Sequence, residues 1–463
     1  MPKFWESREN LFGAVLWLTL GAVVFELAAT FSYRILDLLL ILLAILFLVS
    51  AIDYLRPSRP GAVAELFGRL GGRWIAVALL AAYLLYDLSS LLWSPAPAYG
   101  MSKYKVVVLM IFLSACILLY VDSVPKLRAL LLSLGVASGV TAAFSIVNYL
   151  LAGPFPVRYT LRLTLRSDYN VFATTLLLGL LCAIYLFTTA KFTVMRCILF
   201  ALDLGVTLTV LYLSASRRIF LMLPPILLFW LCVLLFRQKS WRELATAIGV
   251  ILAAGLLFWG GVWAMQNQMR IRYEEYGSFG FGQGSTGGNG STEGSAVDRY
   301  ETVTEGGLLQ KRGLIWGIAW EDYQQFSLTE KLFGRGFGYD IVLYDEVEND
   351  ELAQEYAHLN GQKGLLSAHS FLLADLLNGG IVKAVLGLAL MLTLAWDCIV
   401  LCRRSFPAGA LMGNALAVVA LGSLVSNRFG LLYDKFFWLF ALFLLLALGL
   451  PIRQEPHQRR VFS

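Results

Sequence analysis

The chain has 463 residues, 58% of them hydrophobic and only 15% charged, with a formal net charge of +6 at pH 7. Soluble domains carry about 45–50% apolar and about 25% charged residues. A soluble enzyme or binding domain is therefore excluded, and the composition is that of an all-α polytopic membrane protein. No nucleic-acid partner is expected.

In chain order, about twelve apolar runs are long enough to cross a hydrocarbon core about 30 Å thick. They are Leu11–Ala29, Ile35–Ile52, Trp74–Leu92, Val106–Leu119, Leu127–Leu151, Tyr169–Phe187, Cys197–Ser214, Ile219–Phe236, Ala245–Met265, Phe371–Leu401, Ala408–Ser426 and Phe436–Leu450. The first run lacks a small-x-small cleavage site and reads as a retained helix. The six cysteines all fall in or beside these runs, so neither a disulfide framework nor a cysteine metal motif is expected. Six acids, Glu26, Asp37, Asp87, Asp203, Asp375 and Asp397, lie in or near spans. Acids at such depth are functional candidates. They could pair with arginines or couple protons, and the sequence does not choose.

Placing the N-terminus in the cytoplasm gives every inner loop basic residues, from Lys3 and Arg8 through Arg69, Arg73, Lys126, Arg128, Lys191 and Arg196 to Arg403, Arg404, Arg459 and Arg460. The outer short loops then carry Arg158, Arg162, Arg166, Arg217, Arg218 and Arg428 against that rule. A single outer arginine reads as a helix-end residue snorkelling to lipid phosphate. The adjacent pair Arg217–Arg218 and the triplet ending at Arg166 read as a site for an anionic ligand.

One polar stretch interrupts the apolar pattern and divides the chain into three parts: residues 1–265 with spans one to nine, an outer segment 266–368, and residues 369–463 with the last three spans and a cytoplasmic tail. From Gly277 to Ser295 the outer segment is rich in Gly, Ser and Thr and reads as a loop. The spacing Gly280-x-Gly282-x-Gly284 has no flanking strand or helix and is not a nucleotide fingerprint. Arg312 to Tyr323 has Leu314 and Ile318, Trp316 and Trp320 at helical spacing, which predicts an amphipathic helix on the membrane or over a cavity. Phe333-Gly-Arg-Gly-Phe-Gly338 reads as a tight turn or a phosphate cradle. The acidic run Asp345–Glu355 matches no calcium loop and reads as a solvated face.

Of the three histidines, His457 lies in the tail, His358 in the acidic run, and His369 where a new apolar helix begins. The positive end of a helix dipole favours a neutral imidazole, which can accept a proton as a general base. An interfacial capping histidine is the plainer reading of the same residue.

Ser90-Leu-Leu-Trp-Ser-Pro-Ala-Pro, Arg166-Ser-Asp-Tyr-Asn170, Leu213-Ser-Ala-Ser-Arg-Arg218, Arg312 with Trp316, the Phe333–Gly338 turn, Ala368-His-Ser-Phe and Asn378-Gly-Gly-Ile381 follow one another in that order. In this order the chain resembles the O-antigen ligase and polysaccharide polymerase superfamily. It departs in having Ser370 after His369, where many members have asparagine.

The resemblance implies a GT-C-like, metal-independent, inverting glycosyltransferase of the bacterial inner membrane, with its active site facing the periplasm or exterior and no cofactor. It implies a polyprenyl-diphosphate-linked glycan as donor and a glycan or glycolipid hydroxyl as acceptor, both met at the membrane lipid. His369 is then the expected catalytic base, because a sugar hydroxyl is a weak nucleophile. Arg217, Arg218, Arg166 and Arg312 are the expected ligands of the diphosphate, whose charge grows as it leaves. The main rival is a lipid-linked glycan flippase or transporter. Such proteins usually have two similar halves and no single long outer loop, and the chain shows no internal repeat.

Overall fold

The computed structural model describes residues 2–29, 34–55, 61–154, 161–166, 168–237, 240–277, 310–346, 352, 366–426 and 430–451. These residues are overwhelmingly helical, and their only strand-like pairing is an isolated bridge between Ala29 and Leu165. Eleven described helices are long and apolar enough to cross a membrane. The twelfth expected span is a shorter helix, Lys435–Gly449, 15 residues long. At about 1.5 Å per residue it reaches about 22 Å, short of the hydrocarbon core. Nearly all of its side chains are buried, so protein rather than lipid surrounds it.

The chain forms two compact units that alternate along the sequence. The first comprises residues 1–59 and 125–308. Its described helices are α1 (Pro2–Ala28), α2 (Arg34–Tyr54), α6 (Val124–Ala152), α7 (Tyr169–Thr189), α8 (Val194–Leu213), α9 (Arg217–Arg237) and α10 (Trp241–Gly277). Helix α7 is the most enclosed of the eleven membrane-length helices. Its N-terminus is fixed by Asp168, whose carboxylate accepts the Asn170 and Val171 backbone N–H groups at 3.1 and 3.2 Å. Helix α10 passes residue 265 without a break and continues to Gly277.

The second unit comprises residues 60–124 and 309–463. It holds α3 (Ala62–Gly68), α4 (Trp74–Ser90), α5 (Pro97–Tyr120), α11 (Gln310–Gln325), α12 (Leu328–Phe333), α13 (Tyr339–Glu346), α14 (Phe371–Arg404), α15 (Phe406–Ser426) and α16 (Lys435–Gly449). Helix α14 is 34 residues long, about 51 Å, and is broken at Gly380, where φ is 64°. The 381–404 part alone is long enough to span. Arg73 pairs with Asp397 at 3.4 Å near the far end of that part.

The second half of the polar segment is more structured than its sequence suggests. Helices α11 to α13 pack on the first part of α14 through a core of Ile315, Ile318, Ala319, Tyr323, Phe326, Leu343 and Tyr344. Their amphipathic face is centred on Ile315, Ile318 and Ala319, while Trp320 faces outward. The expected loop 278–295, the acidic run beyond Glu346, His358, His457, Arg158 and Arg428 lie outside the described residues.

Candidate functional site

In the first unit the arginine-bearing segments meet. Residues 161–166 run between the ends of α1 and α8. The Leu163 N–H donates to the Leu213 carbonyl at 2.9 Å, and Leu165 bridges to Ala29. Ser216 donates its hydroxyl to Asn170 Oδ1 at 2.8 Å, tying the turn before α9 to the first turn of α7. Arg162, Arg166, Arg217 and Arg218 are thus gathered at one end of this bundle. Arg162 is 3% exposed, with its guanidinium 4.9 Å from the Tyr169 ring centre. Arg166 is partly engaged structurally: its Nη1 donates to the Leu27 carbonyl at the end of α1, at 2.9 Å. Arg217 and Arg218 open α9, both half-buried, directly after Ala215 and Ser216.

Ala215 has φ 55°, and the only other non-glycine at positive φ among the described residues is His369, at 48°. A non-glycine side chain there costs roughly 1–2 kcal/mol and persists only where the surroundings impose it. The two strained residues fall in the two segments that carry the expected arginine pair and the expected base.

In the second unit His369 is the partly exposed residue of an otherwise buried turn. Ser367, Ala368 and Ser370 around it are all buried. Ser370, not His369, is the residue that opens α14, and its carbonyl accepts the Ala374 N–H at 2.9 Å. The Trp316 indole N–H donates to the Ala368 carbonyl at 3.0 Å. Arg312 lies one helical turn before Trp316, on the same face of α11. Arg312 thus lies one turn from one partner of the Trp316–Ala368 bond, and His369 follows the other directly in sequence.

The glycine turn is a structural clasp rather than a phosphate cradle. Its Arg335 and Gly336 N–H groups donate to the Leu377 and Asn378 carbonyls, at 3.0 and 2.9 Å, where α14 breaks. Gly334 and Gly380 are both at positive φ, and a Cβ on either would strike the other's backbone segment. The Ser90 motif completes the clasp. The Phe337 N–H donates to Ser90 Oγ at 3.2 Å, and Ser94 donates to the Phe337 carbonyl at 2.7 Å. Arg335 is occupied by Glu330 at 2.9 Å, Asp322 at 3.6 Å, the Tyr339 hydroxyl and the Phe326 ring.

Sequence reasoning did not find Lys383. Its ammonium is 2% exposed and pairs with Asp87 and, at 3.4 Å, with Asp375. Tyr83 donates to Asp375 at 2.7 Å, and Tyr433 and Tyr104 donate to Asp87 at 3.0 and 3.3 Å. The Phe337 and Tyr83 rings lie 5.4 and 5.7 Å from the ammonium. A lone lysine two helical turns after Asp375 in an otherwise apolar run was the available signal. Asp340 was also missed. It is fully buried, and burial pushes its carboxyl up to about 7 while Asn378 and Lys383 pull it down. Two of the intramembrane acids thus pair with a lysine and one with an arginine. Among the described residues no three of His, Cys, Asp and Glu are grouped as metal ligands.

No family model matches the chain, and no curated protein matches it.

Proposed function

We propose that the protein is a multi-pass membrane glycosyltransferase of the O-antigen ligase or polymerase type. It transfers a glycan from a polyprenyl diphosphate to a sugar hydroxyl on the outer face of the bacterial inner membrane. The observation that carries this reading is His369, a partly exposed residue held at a left-handed backbone position in an otherwise buried turn. Its role is to take the acceptor hydroxyl proton as the oxygen attacks the anomeric carbon. Arg217 and Arg218, with Arg162 and Arg166 beside them, supply positive charge for the departing diphosphate. Arg312 supplies the same charge from α11.

The buried Asp87–Lys383–Asp375 group favours a second reading, a proton-coupled carrier of a lipid-linked glycan, because charges inside spans often serve relays. One experiment separates the two. Purified protein is given a polyprenyl-diphosphate glycan and an acceptor, and wild type is compared with His369→Ala. Transfer abolished by the substitution supports the enzyme; undiminished transfer removes His369 as base. A product ladder identifies a polymerase and a single addition a ligase. Donor crossing liposomes with no new glycosidic bond identifies the carrier.

A further inference from the structure

We infer that Trp316 is the positioning residue for His369: its indole N–H, bound to the Ala368 carbonyl, fixes the left-handed backbone from which the imidazole projects. The inference rests on the reading of His369 as the base. Three observations carry it. The 3.0 Å bond reaches the peptide unit between Ala368 and His369, so it restrains ψ of one and φ of the other directly. On the other side Ser370 is committed to opening α14, so the strained residue is gripped from both neighbours. Helix α11, which carries Trp316, is itself fixed: Ile315 and Ala319 are buried on one face, and the Tyr344 hydroxyl donates to the Ile315 carbonyl at 2.7 Å. The indole therefore stands on a rigid support.

A buried Ala368 carbonyl without this donor would have to turn toward another, and the peptide that sets φ of His369 would turn with it. The outer helices thus hold the base at one bearing, and α11 is coupled to catalysis without touching substrate through Trp316.

The test uses the full-length protein in detergent or nanodiscs. Trp316→Phe keeps the ring packing and removes the N–H. It is expected to lower kcat about 10- to 100-fold with KM for both substrates little changed, as small misplacements of a reacting group do. A second readout does not need glycosyl transfer: the rate at which diethyl pyrocarbonate acylates His369, followed by mass spectrometry. That rate is expected to change severalfold in Trp316→Phe. Hydrogen exchange over 310–346 reports whether the outer helices remain folded in the variant. Unchanged kcat with an unchanged His369 acylation rate overturns the inference. Full transfer by His369→Ala overturns the base assignment instead, whatever Trp316→Phe does.

Discussion

Asn378 and Asp340 grip each other twice: the Asn378 carboxamide donates to Asp340 Oδ1 at 3.0 Å and accepts the Asp340 backbone N–H at 3.1 Å. The pair joins α13 to α14 just before the Gly380 break, where the Lys383 ammonium favours the ionised carboxyl and Asp375 opposes it. Burial raises that carboxyl to about 7, so the folded state holds a proton that the unfolded chain releases. The resulting stabilisation is complete below about pH 4, the ordinary aspartate range, and is lost as pH rises through about 7. Hydrogen exchange of 339–346 is therefore expected to be slower at pH 5 than at pH 8, after correction for intrinsic rates. Asp340→Asn should flatten that difference; an equally steep profile in the variant would assign it elsewhere.

Lys383 neutralises two carboxylates that are fully buried. Lys383→Met leaves Asp87 and Asp375 buried without their cation, a loss of about 3–5 kcal/mol. Little folded protein is expected by size-exclusion chromatography. The triple variant Lys383→Met, Asp87→Asn, Asp375→Asn should recover most of the folded fraction. Transfer and donor movement both intact in that triple variant would make the network a structural element; donor movement lost with transfer intact would tie it to transport.

Glycines on α11 and at the clasp should respond in opposite directions. Gly313 and Gly317 are helical with open space where a Cβ would stand. Alanine at either is expected to add about 0.5–1 kcal/mol of stability. Gly380→Ala meets a positive φ and the Leu332 backbone together, and should lose at least about 2 kcal/mol. Thermal unfolding of the three variants measures both signs.

Three of the arginines of the first unit should separate by role. Arg166→Met removes the donor to the Leu27 carbonyl and should lower the unfolding temperature. Arg217→Met and Arg218→Met should reduce transfer about 10²–10³-fold, as loss of a charge-stabilising donor does, and by more than any fall in unfolding temperature accounts for. Equal thermal losses in all three would make the cluster a purely structural feature.

The spans were legible because a run of apolar residues carries its own length, and α7 and α8 begin close to where the sequence placed them. The amphipathic helix was legible for the same periodic reason. The motifs were visible but not their partners. Ser90 and Phe337 are 247 residues apart, and Asp87 and Lys383 are 296 apart; no local pattern records such pairs. The glycine turn and Asn378-Gly-Gly looked like separate signals, yet they are two sides of one backbone contact. The outer helices were underestimated because α12 and α13 are short, with too few residues to show a period.

The uninterrupted length of α10 sets a height. Trp241 and Trp263 on it are 79% and 68% exposed, and they stand about 33 Å apart along the axis at about 1.5 Å per residue. Indoles favour the two rims of a bilayer, and this interval matches the hydrocarbon thickness between them. From Trp263 to Gly277 the helix climbs about 21 Å further, clear of the headgroups. Helix α10 thus ends at the top of a post rather than in the membrane plane.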